Sequence, residues 1–216
     1  MPSINTNYGA AVALQSLNKT SAQLETTQNR ISTGLKVSSA KDNGAIFAIA
    51  TQQRANAASQ DAVRNSLQRG QSIVDVALAA GDTITSALEE MKSLAVNIAS
   101  STGSAQTAYL ADYNALGLEV ASAISSATFD GVNSLTALGS NAAITAVNTG
   151  SVTAANATAA NVDAAISATT SALATLGTQS KSLGRQITFV NKLQDALEAG
   201  VGNLVDADLA KESAKL

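Results

Sequence analysis

Residues 63–98 read VRNSLQRGQSIVDVALAAGDTITSALEEMKSLAVNI, and this stretch decides which fold the chain adopts. Apolar or small residues recur in it at alternating spacings of three and four: Val63, Leu67, Gly70, Val74, Ala77, Gly81, Ile84, Leu88, Met91, Ala95 and Ile98. Such spacing keeps one narrow stripe on one face of an α-helix, and a partner helix must cover that stripe. Counted from Asn43, the helix spans roughly 56 residues, or about 84 Å, which predicts an elongated molecule.

Both ends of the chain carry a stripe of the same kind. Near the N-terminus its members are Leu14, Leu17, Ser21, Leu24, Gln28, Ile31 and Leu35. Near the C-terminus they are Ile166, Thr169, Leu173, Leu176, Ser180, Leu183, Ile187, Val190, Gln194, Leu197, Val201 and Leu204. Ser21 and Gln28 interrupt the first stripe; they either weaken a solitary coiled coil or set the register of a crowded assembly. Paired stripes at the two ends are typical of a structural or assembly protein.

The glycines at positions 70 and 81 fall on the central stripe itself. A glycine inside a helix costs up to ~1 kcal/mol relative to alanine. Either the helix is slightly weakened at these two positions, or a neighbouring backbone approaches closely there. The sequence leaves both readings open.

Composition excludes most kinds of chemistry. The 216 residues contain no histidine and no cysteine, so Ser-His-Asp and Cys-His sites, histidine-based zinc sites, redox thiols and disulfides are all absent. The acidic pairs Glu89-Glu90 and Asp206/Asp208 sit at neighbouring helical positions, whose side chains diverge and do not converge on a substrate. We therefore predict that the chain is not an enzyme and holds no cofactor or metal.

Charge and hydropathy exclude two further classes of partner. The net charge is −3, and no cluster of Lys and Arg forms a basic face for nucleic acid. No stretch approaches the ~20 apolar residues of a membrane span, so no membrane partner is expected. Residues 1–19 lack the basic region and apolar run of a conventional secretory signal. We expect a soluble chain that leaves the cell, if at all, by another route.

Turn signals divide the chain. The only proline is Pro2, so nothing later forbids long helices. The pattern predicts a mainly α fold: an elongated rod of long antiparallel helices with a small β-hairpin region. Helices are expected over about 43–99, 104–128 and 157–216. The hairpin region is expected over about 129–155, where Phe129-Asp-Gly131 reads as a tight turn. Residues 1–40 are assigned to a separate terminal helix, and 41–216 to the rod.

Several motifs resemble those of bacterial flagellins. Arg30–Ala50 (RISTGLKVSSAKDNGAIFAIA) is similar to the N-terminal signature of the family, and Ile4–Asn7 is similar to its start. Asn65–Ala77 (NSLQRGQSIVDVA) and Val205–Glu212 (VDADLAKE) resemble its second helix and its C-terminal motif, and Phe129-Asp-Gly131 stands where the family has Phe-Asn-Gly. These matches cover most of 1–135 and 175–216 in the order of the family.

The resemblance implies a secreted structural subunit that polymerises into the extracellular flagellar filament for swimming. It also implies type III export with a flagellar export chaperone, and contact with filament cap or junction proteins. The segment around Asn5 would be disordered before assembly. The filament-core seam would be Leu14, Leu17, Leu24, Ile31 and Leu35. The rod would be packed by Val63, Leu67, Val74, Ile84, Leu88, Met91, Leu173, Leu176, Leu183, Ile187, Val190 and Leu197.

Two departures from the family pattern carry expectations. Family members continue for about 40 residues past the Asp206-Ala-Asp208 motif as a helix that pairs with the first one, as the resemblance implies. We therefore expect the 216-residue chain to assemble poorly by itself. The second departure lies in the segment that a vertebrate innate receptor recognises, here Leu88, Glu89, Glu90 and Leu94: Glu90 stands where the family has an arginine. This charge reversal predicts weak or absent receptor activation.

Two other classes compete with a filament subunit. A hook–filament junction protein shares the terminal helices, but the close match of Arg30–Ala50 argues against it. A helical signalling rod would also be rich in Ala, Ser and Glu, yet it would leave that signature unexplained.

Overall fold

The computed structural model of the chain describes residues 7–215. Ile4–Thr6, which resemble the start of the family, lie outside the described residues. Long helices dominate: α1 Tyr8–Thr33, α2 Gly44–Ser100, α3 Gly103–Ser126 and α6 Ala159–Val205. Between α3 and α6 come β1 Thr128–Phe129, β2 Val132–Asn133, α4 Thr136–Gly139 and α5 Ala142–Thr145, and α7 Leu209–Ser213 follows α6. The mainly α architecture with one small antiparallel hairpin confirms the predicted fold class.

The chain divides into two compact units that differ from the predicted domains. One unit contains residues 7–62 and 190–215, and the other is Val63–Phe189. The sequence places a boundary near residue 40 because Gly34 and Ser38-Ser39 read as a break. However, α2 runs without interruption from Gly44 to Ser100. Its first part, up to Ala62, belongs to the unit that contains the two terminal segments.

Helix α2 is 57 residues long, and side-chain hydrogen bonds to nearby backbone groups mark both of its ends. The side chain of Asn43 accepts a hydrogen bond from the amide of Ile46 at 3.1 Å, which satisfies one free donor of the first turn. At the other end the hydroxyl of Ser101 donates back to the carbonyl of Asn97 at 2.6 Å. Gly103, with φ +65°, then turns the chain into α3. The observed bounds of α2 and α3 lie within two residues of those expected.

The unit Val63–Phe189 is built around the stripe of α2. Ile84, Leu88 and Met91 are fully buried and pack with Tyr113 and Val120 of α3. Helix α6 runs antiparallel beside α2 and covers the stripe from the other side with Val162, Ala165 and Leu176, which are buried in the same core. Full burial of one such side chain contributes about 1.5–3 kcal/mol, so this stripe is the main source of stability in the unit.

The two glycines of the stripe have different surroundings. A Cβ at Gly81 would collide with the side chain of Leu173, so α6 approaches α2 closely at that level. At Gly70 a Cβ would meet Leu183 at 3.7 Å, an ordinary van der Waals distance. The space at Gly81 is therefore taken by the side chain of Leu173 and not by a neighbouring backbone, whereas Gly70 is sterically dispensable.

The hairpin region expected over about 129–155 is shorter in the structure and ends at Asn133. The hairpin is confined to β1 and β2 around Asp130 and Gly131, whose φ angles are +51° and +76°. The next residues form α4 and α5, because Leu135, Leu138, Ile144 and Val147 are spaced for one face of helical turns and all are buried. The asparagines that resemble strand punctuation are local caps: Asn133 accepts from the amide of Leu135 at 2.7 Å, and Asn141 from Ala143 at 2.9 Å.

The segment after α5 is held against α3 at close range. Asn114 accepts a hydrogen bond from the amide of Val152 at 2.7 Å and donates one to its carbonyl at 3.1 Å. One turn further along α3, a Cβ at Gly117 would lie 2.5 Å from the carbonyl oxygen of Val147. Gly117 is therefore needed because backbone passes where a side chain would stand.

A buried phenol gives the first testable consequence. Tyr113 is fully buried, its hydroxyl has no hydrogen-bond partner among the described residues, and burial raises its pKa to about 12. Because an unsatisfied buried hydroxyl is unfavourable, we expect Tyr113→Phe to raise the free energy of unfolding by about 1 kcal/mol at neutral pH. Denaturant titration measures this, and Tyr109→Phe at a half-buried site is the control, with no expected change.

The effect of pH on the stability difference between wild type and Tyr113→Phe follows from the direction of the pKa shift of Tyr113. The unfolded phenol ionises near pH 10.0 and the folded one near 12, so the wild-type chain loses stability as the pH rises above 10. The advantage of Tyr113→Phe should therefore grow across this window. A difference that stays constant from pH 8 to 12 would contradict the raised pKa of Tyr113 in the folded chain.

Candidate assembly interface

Helix α1 is fully formed yet almost uncovered. Asn7 caps its start by accepting from the amide of Ala10 at 3.1 Å, and Gly34, with φ +71°, ends it by donating to the carbonyl of Arg30. Leu14, Leu17 and Leu24 are 59%, 61% and 41% exposed, and Thr27 is the one buried residue of the helix among the described residues. An exposed apolar stripe of this regularity is typical of surfaces that pack against another helix.

The seam residues nearest the end of α1 have more cover than those at its start. Ile31 and Leu35 are half-buried, and Leu35 forms a bridge with Asp206. The amides of Lys36 and Val37 donate to the carbonyl of Val205 at 2.6 and 3.3 Å. These backbone bonds fasten the C-terminal end of α1 to the end of α6.

A small second core supports this junction. Val37 is buried with Ala50, Val201 and Val205, and Ile46 and Phe47 pack against them. The amide of Ala207 also donates to the carbonyl of Gly34 at 2.9 Å, so the chain leaves helical geometry there. The helix expected over 157–216 therefore ends at Val205, and Asp208 starts α7 by accepting from the amide of Lys211 at 3.1 Å.

Helix α7 packs on α1 through a nearly buried carboxylate. The side chain of Glu212 is 9% exposed, and its Oε1 lies 3.4 Å from Nη1 of Arg30 and 2.9 Å from Nζ of Lys215. The hydrogen bond from Lys215 is the main cause that lowers the pKa of Glu212. Its other oxygen, Oε2, has no partner among the described residues. Beside it runs a groove of 770 Å³, lined by Lys19, Thr20, Ala22, Gln23, Leu24, Thr26, Thr27, Arg30, Glu212 and Lys215.

The sequence signals for this junction are weak. Arg30 and Glu212 each belong to a motif, but they are 182 positions apart and no periodicity connects them. Asp42 is likewise part of a motif, and its role appears only in the structure. One of its oxygens, Oδ2, accepts from the amides of Ser38 and Ser39 at 3.0 and 2.9 Å and from their hydroxyls at 3.0 and 3.2 Å.

The Asp42 cluster gives a second testable consequence. These bonds, led by the amide of Ser39, lower the pKa of the Asp42 carboxyl below its ordinary value of 3.8. A carboxyl with a lowered folded pKa stabilises the loop above pH 3.8 and loses that effect as the pH falls through the folded value. We expect Asp42→Ala to increase the hydrogen-exchange rates of the Ser38 and Ser39 amides at neutral pH, measured by NMR. Asp61→Ala, on α2, should leave those two rates unchanged, and equal protection in Asp42→Ala would contradict the assignment.

The predicted rod-packing residues fall into three groups. Buried members are Val74, Ile84, Leu88, Met91, Leu176 and Val190. Half-buried members are Leu67, Leu173, Leu183, Ile187 and Leu197. Val63, at the start of the stripe, is 44% exposed. Burial of the stripe therefore increases along α2 from Val63 toward Ile84 and Met91.

The segment that resembles the receptor-recognition site has two faces. Leu88 is fully buried in the core and Leu94 is half-buried against it. Glu89 and Glu90 are both exposed, and the neighbouring Lys92 forms an ion pair with Asp163 at 2.6 Å. The surface that this segment presents to solvent is therefore acidic.

Neither a metal-binding cluster nor a helix suited to cross a membrane occurs in the part of the chain that the structure describes. No group of three or more Asp and Glu side chains in residues 7–215 is arranged to hold a metal ion. Across the same residues, none of the helices combines the length and apolar character that a bilayer crossing requires.

Comparison with known proteins adds independent evidence. Residues 4–140 match the model of the bacterial flagellin N-terminal helical region, and residues 159–216 match that of the C-terminal helical region. Flagellin FljK and flagellin FljN of Caulobacter vibrioides are 48% and 50% identical over 240 residues, which cover 99% of this chain and 88% of each relative. A flagellin of Brucella melitensis is 32% identical over 252 residues, covering 100% of this chain and 89% of the relative.

Proposed function

The chain belongs to the bacterial flagellin family and is a structural subunit of the flagellar filament, and we propose that the exposed stripe of α1 is the surface through which its copies pack together. The observation that carries the proposal is the exposure of Leu14, Leu17 and Leu24 on a capped, intact helix. Leaving three leucines in water forfeits several kcal/mol of transfer free energy, at about 1.5–3 kcal/mol each. Packing between copies recovers it.

The junction at Gly34–Asp42 supports the same proposal. Backbone bonds from Lys36, Val37 and Ala207 hold the end of α1 against the end of α6, and Asp42 braces the intervening loop. A stripe presented from a braced junction loses less conformational entropy on docking than one on a loose tail. The exposed stripe is thus suited to repeated packing in a regular polymer.

The finer parts of the function are proposals of the same kind. The chain does no chemistry, a proposal supported by the absence of histidine and cysteine from its 216 residues. It acts outside the cell after export, and it meets a flagellar export chaperone and filament cap or junction proteins, as its family implies.

A complementation experiment tests the proposed function directly. The chain is expressed in a bacterium that lacks its own flagellins, and filaments are examined by electron microscopy with antibody labelling of the chain. Labelled filaments, or labelled segments within filaments when a native flagellin is also present, are the expected result. Export of the chain into the medium without incorporation in either strain would contradict the proposal.

Weak recognition by the vertebrate innate receptor is a further proposal. It is supported by the exposed carboxylates of Glu89 and Glu90, which present negative charge where the family has an arginine. We expect Glu90→Arg to increase the response of receptor-bearing reporter cells, with Glu89→Arg as the matched control. A strong response to the wild-type chain at subnanomolar concentration would refute it.

A further inference from the structure

The unit Val63–Phe189 carries charged side chains of both signs. Its cations, apart from Lys92, are Arg64, Arg69, Lys181 and Arg185. Its anions, apart from Asp163, are Asp75, Asp82, Glu89, Glu90, Asp112, Glu119 and Asp130. Lys92 and Asp163 neutralise each other at 2.6 Å, and Arg69 lies 3.5 Å from Asp130. Asp75 lies beside Gln71, close to the level of Ser180, so carboxylates occur near the cations as well. Two groups of like charge nevertheless stand apart: Lys181 with Arg185 on α6, and Asp82 with Glu89 and Glu90 on α2.

The register of α2 against α6 gives the separation of the two groups. The side chain of Gln71 donates to the hydroxyl of Ser180 at 2.7 Å, so these two levels coincide. Glu90 lies 19 residues beyond Gln71 on α2 (90 − 71), or about 28 Å along the axis at ~1.5 Å per residue. This exceeds the Debye length of about 8 Å at physiological salt, so the two groups of one copy do not neutralise each other.

The cations of α6 form a face that no described residue covers. Lys181, Gly184, Arg185 and Thr188 line an open depression, and a Cβ at Gly184 would meet nothing within 4 Å. Lys181 and Arg185 are exposed and have no ion-pair partner among residues 7–215. We call these four residues the basic face.

A face of opposite charge lies on α2. Asp82, Ser86, Glu89 and Glu90 follow one another at helical spacing and all are exposed. Glu89 and Glu90 likewise lack an ion-pair partner in the described part of the chain. We call these four residues the acidic face. The basic face thus carries two cations beside Gly184 and Thr188, and the acidic face carries three carboxylates around Ser86.

We propose that the basic face of one copy binds the acidic face of a second copy. The contact rests on the proposed filament function and names the charged surfaces that meet. Because the two faces differ and lie about 28 Å apart in one copy, their contact is heterologous and repeats from copy to copy. A heterologous contact that does not close generates an open polymer, whereas a self-complementary face would stop at a dimer.

Charge reversal with rescue tests the pairing in the full chain. One variant carries Lys181→Glu and Arg185→Glu, and the other carries Glu89→Lys and Glu90→Lys. Each alone should self-associate about tenfold more weakly than wild type in sedimentation velocity at low salt, because like charges then face each other. An equimolar mixture should recover association, since acidic and basic faces then alternate. Raising the salt to about 0.5 M should weaken both wild type and mixture.

A cross-linking arm locates the contact without altering any charge. The chain has no cysteine, so Thr188→Cys and Ser86→Cys each introduce a single thiol beside one face. Mixed and oxidised, these two variants should give a disulfide-linked heterodimer on a non-reducing gel, because a disulfide needs Cα atoms within about 7 Å. Ser122→Cys, at an exposed position of α3, replaces Ser86→Cys as the control and should give none.

Several outcomes overturn the proposal. A mixture that stays dissociated overturns it, as does equal cross-linking to Ser122→Cys. Equal weakening by Lys41→Glu with Arg54→Glu also overturns it, because that control makes the same charge change at exposed sites away from α6. Failure of the proposed filament function is recognised by a different result. In that case the wild-type chain is absent from filaments in the complementation experiment, independently of how the charge variants behave. Recovery in the mixture together with selective cross-linking supports the contact.

Discussion

Replacement of both Leu17 and Leu24 by glutamate is expected to abolish filament assembly while leaving the unfolding of the isolated chain unchanged. Both side chains are largely exposed, at 61% and 41%, and neither belongs to a core cluster. The folded chain therefore loses little when they change. In the assembled state the substitution forfeits about 1.5–3 kcal/mol of apolar burial per site and places an unpaired carboxylate in the contact.

The measurement is incorporation into filaments in the complementation experiment, by electron microscopy with antibody labelling, and thermal unfolding of the isolated chain is followed in parallel by circular dichroism. Ala11→Glu with Gln15→Glu is the matched control, since it adds two carboxylates to exposed positions of α1. Those positions lie more than about 100° around the helix from Leu17, away from the apolar stripe. Assembly of the Leu17/Leu24 variant at the level of this control would show that the stripe is not an interface.

Valine at position 117 is expected to destabilise the unit Val63–Phe189 strongly. A Cβ there would lie 2.5 Å from the carbonyl oxygen of Val147 and 3.4 Å from Cα of Asn148, both backbone atoms that cannot rotate away. The segment is further held by the two hydrogen bonds between Asn114 and Val152, so relief requires α3 and this segment to separate. Overpacking of this kind costs about 1–3 kcal/mol, and valine adds two methyl groups beyond the first clash.

The same substitution at Gly177 is the matched control. Gly177 lies inside α6 with nothing within 4 Å of its Cβ position, so Gly177→Val should be neutral or slightly stabilising. Denaturant titrations of both variants, followed by circular dichroism, measure the difference. Equal stability of the two variants would mean that the backbone of Val147 withdraws from α3 without cost.

Much of the fold follows from periodicity alone. The alternation of three and four along 63–98 predicts a long helix with a buried stripe, and Ile84, Leu88 and Met91 are buried as that stripe requires. The Asp130-Gly131 turn is found where its dipeptide predicts it, with both residues at positive φ. These features depend on residues within one or two turns of each other, which is why local patterns reveal them.

Only part of the candidate interface can be predicted from local sequence patterns. The stripe of α1 was identifiable, and the structure shows it exposed. The Arg30–Glu212 pair and the bracing of the Gly34 junction were not identifiable, because their partners are separated by most of the chain. The helical turns at 136–145 were mistaken for strands, because weak alternation and asparagine punctuation suit either structure until the buried face is known.

The sequence by itself determined that the chain forms long helices, that each carries a narrow apolar stripe, and that no histidine or cysteine chemistry is possible. Only the tertiary structure decided which stripe is covered within the chain. The stripes of α1 and α2 have the same spacing, yet that of α2 is buried by α3 and α6 while that of α1 faces solvent. Spacing specifies that a stripe needs a partner, because it reflects contacts within one helix. The identity of the partner depends on contacts between residues far apart in sequence.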